Sequence, residues 1–168
     1  TCRNNRVFIN IPCEITLRSG SYSDNDNYLS QYIFTGCMKC PDFPILCYQG
    51  IAEHDSSGLL VRPADFERHL AVLRRRQCES VSIEQIKRFL DEEGELPEMP
   101  VAITFEGCRR NVLEIAAPML KKYEFKATLF TAAKTVGTAS CLSWAELEEL
   151  QSEYGFEIGC SGKNYNFL

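Results

Sequence analysis

Hydrophobic and polar positions change their rhythm partway along this chain. Up to residue 43 the text is polar and punctuated, and Ser19-Gly20-Ser21-Tyr22-Ser23-Asp24-Asn25-Asp26-Asn27 reads as a turn-rich loop. Val7-Phe8-Ile9 and Tyr32-Ile33-Phe34 are apolar patches of edge-strand length within it. From Pro44 onward, short apolar runs alternate with stretches whose apolar positions recur every three or four residues. Ile45-Leu46-Cys47-Tyr48 predicts a buried strand, and Phe66, Leu70 and Leu73 predict the inner face of a helix. Ser80-Val81 predicts a second, short strand. Ser82 with Gln85 then gives the S-x-x-Q signature of a capped helix start, behind which Ile83, Ile86 and Leu90 share a face.

Val101-Ala102-Ile103-Thr104-Phe105 predicts a third strand, with Pro97 and Pro100 marking its approach. Asn111 and Glu114 open a helix carrying Val112, Ile115 and Met119, which Pro118 should kink or shorten because it has no N–H to donate. Ala127-Thr128-Leu129-Phe130 predicts a fourth strand. Ser143 and Glu146 cap a helix whose expected inner face is Trp144, Leu147 and Leu150, and Phe156-Glu157-Ile158-Gly159 predicts the last strand. Strand and helix alternating in steps of roughly 20–30 residues is the pattern of βαβ units around a parallel sheet, either a barrel or an open sheet. In both, chemistry gathers at the C-terminal ends of the strands. Those ends are Tyr48-Gln49-Gly50, Phe105-Glu106-Gly107-Cys108 and Gly159-Cys160-Ser161.

Composition narrows the classes without choosing among them. The 168 residues are 45% hydrophobic and 24% charged, which suits one globular domain with a real core and excludes wholesale disorder or a collagen-like chain. A formal net charge of −5 argues against gripping a phosphate backbone, so no nucleic-acid partner is expected. No apolar run approaches the ~20 residues needed to span a bilayer, and Thr1-Cys2-Arg3-Asn4-Asn5-Arg6 does not lead into a signal-peptide stretch.

The strand-end words resemble those of the polysaccharide deacetylases with a NodB-type catalytic domain. Pro44-Ile45-Leu46-Cys47-Tyr48-Gln49-Gly50-Ile51 looks like that family's opening strand, usually P-[IV]-L-x-Y-H-x-I. Phe66 to Arg76 followed by Glu79-Ser80-Val81-Ser82 looks like its first helix and second strand. Val101 to Phe105 leads into the position of its T-F-D-D-G, and Lys126-Ala127-Thr128-Leu129-Phe130 matches its K-A-T-x-F strand. Leu142-Ser143-Trp144 and Gly155-Phe156-Glu157-Ile158-Gly159 precede the position of its S-H-[ST]-x-x-H motif. The resemblance covers about Pro44 to Leu168 and implies an α/β fold, a parallel-strand (β/α) barrel of the NodB deacetylase type. It divides the chain into a polar N-terminal segment, 1–43, of unassigned role and a deacetylase-like domain, 44–168. Family domains continue past this point with further strands and motifs. The resemblance therefore implies an incomplete barrel with an open strand edge, to be covered by residues 1–43 or by a partner chain.

Working members of the family hydrolyse N-acetyl or O-acetyl groups on carbohydrate polymers with zinc or another divalent ion. The first Asp of T-F-D-D-G resembles a general base; the second Asp and the two His of H-x-x-x-H hold the metal, which polarises the carbonyl and activates a water. Carried across residue by residue, Glu106 stands at the base position, Gly107 at the metal-ligand Asp and Cys108 at the motif's glycine. Ser161 and Tyr165 stand where the two His belong, and Gln49 replaces the His of the opening strand. Glu is a tolerable base, but glycine offers no ligand and a neutral hydroxyl is a poor substitute for imidazole. No metal is expected at these positions, and the family reaction is expected to be weak or lost. Tyr48, Gln49, Ser161 and Tyr165, at motif positions, are the candidate binding residues; the runner-up readings are a non-catalytic carbohydrate-binding or assembly module and a truncated gene product. The resemblance suggests an extracellular or cell-envelope setting, although no signal peptide is visible.

Nine cysteines cannot all pair within one chain. Cys108 and Cys160 both follow strands at the expected mouth and form a candidate thiolate pair, for zinc or a disulfide. Cys37-Met38-Lys39-Cys40 has C-x-x-C spacing, but no second such pair and no nearby His complete a metal site. His69 falls on the Phe66–Leu73 helix, where a packing role is expected, and His54 lies in the loop beyond the first strand.

Overall fold

A computed structural model describes residues 43–54 and 59–162. The expectations placed on 1–42, the C-x-x-C pair and Tyr165 lie outside the described residues.

The elements run β1 (Ile45–Tyr48), α1 (Pro63–Arg75), β2 (Glu79–Ser80), α2 (Ile83–Leu90), β3 (Pro100–Glu106), α3 (Ala117–Lys122), β4 (Thr128–Thr131), α4 (Trp144–Tyr154) and β5 (Glu157–Cys160). Among the described residues all five strands are parallel. The order β1-β3-β4-β5 makes β3 the centre of the sheet. β2 joins β3 only at Pro100 and Val101, whereas β4 pairs with Thr104 to Glu106. Ala102 donates to Pro44 O on the β1 side, and Val81 donates to Val101 O on the other. β2 and β4 therefore divide one edge of β3 between them.

Alternation along the strands gives the sheet two unlike faces. Leu46, Tyr48, Ile103, Phe105 and Leu129 point into the main core, against Phe66, Leu70 and Leu73 of α1, Leu120 of α3 and Leu147 and Leu150 of α4. The opposite face carries Cys47, Thr104, Thr128 and Glu157, paired strand to strand. At its N-terminal end this second face is closed by a small apolar cluster of Val81, Ile86 and Ala102, with Ile45 and Ile83 packed against it.

The helix starts follow the sequence closely. Ser82 and Ser143 each accept from the backbone N–H three residues on, and Gln85 and Glu146 return the bond to complete both capping boxes. Pro63 takes the first turn of α1, where its missing N–H costs nothing.

Three helix faces differ from expectation. Leu90 is 58% exposed, because α2 ends there and only Ile86 is buried from it. Trp144 is 65% exposed: as the first residue of α4 it lies a turn short of the packed pair Leu147 and Leu150. The helix expected from Asn111 opens instead as a π-helical segment, Val112–Ala116, which passes into α3 one residue before Pro118. The wider turn rotates the packed face, so Val112, Ala116, Ala117 and Leu120 are buried while Ile115 and Met119 only border the core. Among the described residues no helix is long and apolar enough to cross a membrane.

Candidate active site

The strand ends named by the sequence do converge at one end of the sheet. Glu106 ends β3 with its side chain exposed, on the same face as Cys47 and Thr104. Cys47 hydrogen-bonds Thr104, whose hydroxyl also donates to Leu46 O at 3.5 Å. Burial pushes the Cys47 thiol up and the nearby Glu106 carboxylate adds to this, so Cys47 stays protonated at neutral pH. Beside Glu106 in the register lies Phe130, whose ring covers Gly159 so closely that a Cβ there would meet it at 2.6 Å.

Two loops frame this end. After β1 the chain turns at Gly50, where φ is +144° and a Cβ would approach Asn111 Oδ1 to 2.9 Å and Arg109 Cδ to 3.1 Å. The loop after β1 is thus pressed against the loop after β3. That second loop is tied in turn to the segment before α4: Cys108 O accepts from Leu142 N at 2.7 Å, Arg109 bridges Cys141 in antiparallel fashion, and Arg110 pairs with Glu146. Gly107 N donates to Phe130 O at 2.8 Å and Ser161 N to Thr131 O at 3.0 Å, which carries the pairing one residue beyond the strands.

Placed in this frame, the residues singled out by sequence separate. Glu106, Gln49 and Ser161 stand at the C-terminal end of the sheet, Gln49 half-buried and Ser161 exposed. Tyr48 lies on the other face of the sheet. It is only 2% exposed and faces the helices, with its ring edge-on to Phe66 and stacked on Phe105. Its hydroxyl is hydrogen-bonded to Nδ1 of His69 at 3.1 Å, which gives His69 the expected packing role. The period of two along β1 explains this, because Tyr48 and the residues flanking it point to opposite sides of the sheet.

Cys108 and Cys160 follow different paths. Cys160 is exposed and its Sγ donates to Gly162 O at 3.5 Å. Cys108 is buried, with its Sγ 3.1 Å from Thr135 Oγ1 and its ionisation coupled to the thiol of Cys141. Cys141 and Thr135 were missed by sequence reasoning. Nothing in their local text marks them, since only the folding of the 132–142 loop onto the end of β3 brings them in.

The donor set does not suit the divalent metal implied by the resemblance. Gly107, at the ligand position, has no side chain and sits at φ +92°, a conformation that L side chains rarely adopt. Ser161 supplies a neutral hydroxyl. Among the described residues no group of three or more His, Cys, Asp or Glu side chains comes together.

Comparison with known proteins agrees with this architecture. A family model for polysaccharide deacetylase matches residues 93–168. The Bacillus subtilis (strain 168) protein YxkH, whose name assigns it to the polysaccharide deacetylases, is 30% identical over 120 residues, 71% of this chain and 42% of its own. The Streptococcus pyogenes deacetylase PplD, solved in complex with acetate, superposes with a TM-score of 0.63 at 25% identity, covering 69% of this chain and 54% of that one. IcaB from Ammonifex degensii gives 0.62 at 25% identity over 70% of this chain and 52% of its own. A de-N-acetylase from Aggregatibacter actinomycetemcomitans shares the fold with a TM-score of 0.67 at 17% identity, over 74% of this chain and 56% of that one. The chain thus spans about half the length of the proteins it matches, or less.

Proposed function

We propose that this chain, which matches a polysaccharide deacetylase model over residues 93–168, is a deacetylase-like, carbohydrate-recognising domain in which metal-dependent hydrolysis of acetyl groups is weak or lost. The observation that carries this reading is the contrast at the end of β3. The parallel sheet superposes on those of known deacetylases, yet Gly107, which the resemblance puts at a metal-ligand position, has a backbone conformation unsuited to a side chain. Glu106 remains an exposed carboxylate suited to a base, but beside it Gly107 offers no donor and Ser161 only a hydroxyl. A general base alone contributes ~10²–10⁴-fold, too little to replace the activation of water by a metal ion.

One feature favours recognition of sugar. Trp144 begins α4 next to the loop tied to the end of β3, and it exposes 65% of its surface. A bare indole at the rim of such a site is a platform for the apolar face of a pyranose ring. Residues 44–168 would form this domain, with 1–43 a separate segment.

The test is direct. Purified chain is incubated with N-acetylglucosamine oligomers, with and without added zinc, and released acetate is measured alongside binding by calorimetry. The expected result is no acetate above the blank in either condition, with binding that weakens roughly tenfold in Trp144→Ala. Chelator-sensitive acetate release would overturn the loss of hydrolysis, and equal binding by Trp144→Ala would remove the indole from the recognition site.

A further inference from the structure

We propose that Cys108 and Cys141 are an oxidisable pair that closes to a disulfide and locks the loop after β3 to the segment leading into α4. The two backbones are already held together there: Leu142 N donates to Cys108 O at 2.7 Å, and Arg109 forms an antiparallel bridge with Cys141 itself. Closure therefore starts from two segments already paired, with the two cysteines one residue apart in register. The two thiols are close enough to influence each other's ionisation, and Cys108 Sγ lies 3.1 Å from Thr135 Oγ1.

The two sulfurs are not equivalent. Cys108 is 1% exposed, and burial together with the neighbouring Cys141 pushes its thiol up. Cys141 is only half-buried. Burial pushes its thiol up as well, but hydrogen bonds from Cys108, Thr138, Ser140 and Thr135 outweigh that and bring it below its ordinary value. Cys141 is thus the more accessible and more readily ionised thiol, and Cys108 the resolving one.

With a low-molecular-weight disulfide such as oxidised glutathione as oxidant, the steps balance. Cys141 thiolate attacks one sulfur of the S–S bond, forming a mixed disulfide and releasing one glutathione thiolate. Cys108 gives up its proton and attacks the Cys141 sulfur, which forms the protein disulfide and releases the second glutathione thiolate. Two protein thiols are oxidised and one glutathione disulfide is reduced to two thiols. The consequence is local: Gly107 and Arg109, at the end of β3, become covalently tied to the approach of Trp144.

The whole chain is equilibrated in glutathione buffers of graded ratio, quenched with acid, alkylated and digested for mass spectrometry. A peptide linking Cys108 to Cys141 is expected to be the first intramolecular link among Cys47, Cys78, Cys108, Cys141 and Cys160. It should persist in Cys160→Ser and be absent from Cys141→Ser. Oxidised wild type should melt about 5 °C or more above reduced, with no such rise in Cys141→Ser. Because the linkage is mapped in wild type, poor folding of a Cys108 variant would not obscure it. Full alkylation of both residues in oxidising buffer, or a Cys108–Cys160 link, would overturn the proposal. None of these outcomes depends on whether the chain recognises or hydrolyses carbohydrate.

Discussion

Gly159 is fixed by its neighbour across the sheet, because the Phe130 ring fills the space in which a Cβ would stand. Gly159→Ala should destabilise the protein by about 1–3 kcal/mol, as overpacking does, and the cost should shrink in a Phe130→Ala background. Denaturant melts of the two single variants and the double variant measure the coupling. Gly107 has a different constraint, its φ of +92°. Gly107→Asp, which puts the family's carboxylate back, should cost about 1 kcal/mol or more in backbone strain, seen as a lower melting temperature. His69 carries a pH dependence. Burial is the main reason its pKa lies below the ordinary 6.5; Arg68 acts in the same direction and Asp65 against it. The unfolded chain then binds more protons than the folded one in the window below 6.5. The contribution of His69 is fully present above 6.5 and is lost as pH falls through the folded value. Melting temperatures between pH 7.5 and 5 should therefore fall more steeply for wild type than for His69→Gln.

Among the elements, α2 shows most clearly where local signals end. Its start was readable from Ser82 and Gln85, but its first N–H groups are also held from far away in the sequence. Glu157 Oε2 accepts from Ile83 N at 2.9 Å and from Thr128 Oγ1 at 2.7 Å, and Oε1 accepts from Glu84 N at 3.2 Å. The carboxylate of β5 thereby satisfies orphan donors at the positive end of the helix and fastens α2 across the end of the sheet. Glu157→Ala should cost about 2 kcal/mol, with faster amide exchange in α2 than in α1. Pro118 signalled a disturbance without specifying its form. The π-helical segment ahead of it absorbs the missing donor and turns the face by a residue, so the apolar spacing from Asn111 pointed to Ile115 and Met119 where Ala116 and Ala117 are buried. Trp144 fits the spacing of Leu147 and Leu150, yet it sits at the helix start and projects beyond what the sheet covers.

For the molecule as a whole, β3 is the shared member: it pairs with β1 on one side and with β2 and β4 on the other, and Val101 to Phe105 are buried. Amide exchange should be slowest there and fastest in the two-residue β2, as native-state exchange with mass-spectrometric readout would show. The sequence by itself determined the order of strands and helices, both capping boxes, the parallel class of the sheet and which residues end the strands. Each of these rests on spacing within a few residues or on the alternation of short elements. Tertiary structure alone decided that Tyr48 belongs to the core with His69, that Cys108 meets Cys141, and that Glu157 caps α2. Those contacts join residues from separate elements, and the direction of each side chain follows from strand register and loop path, which no local pattern encodes.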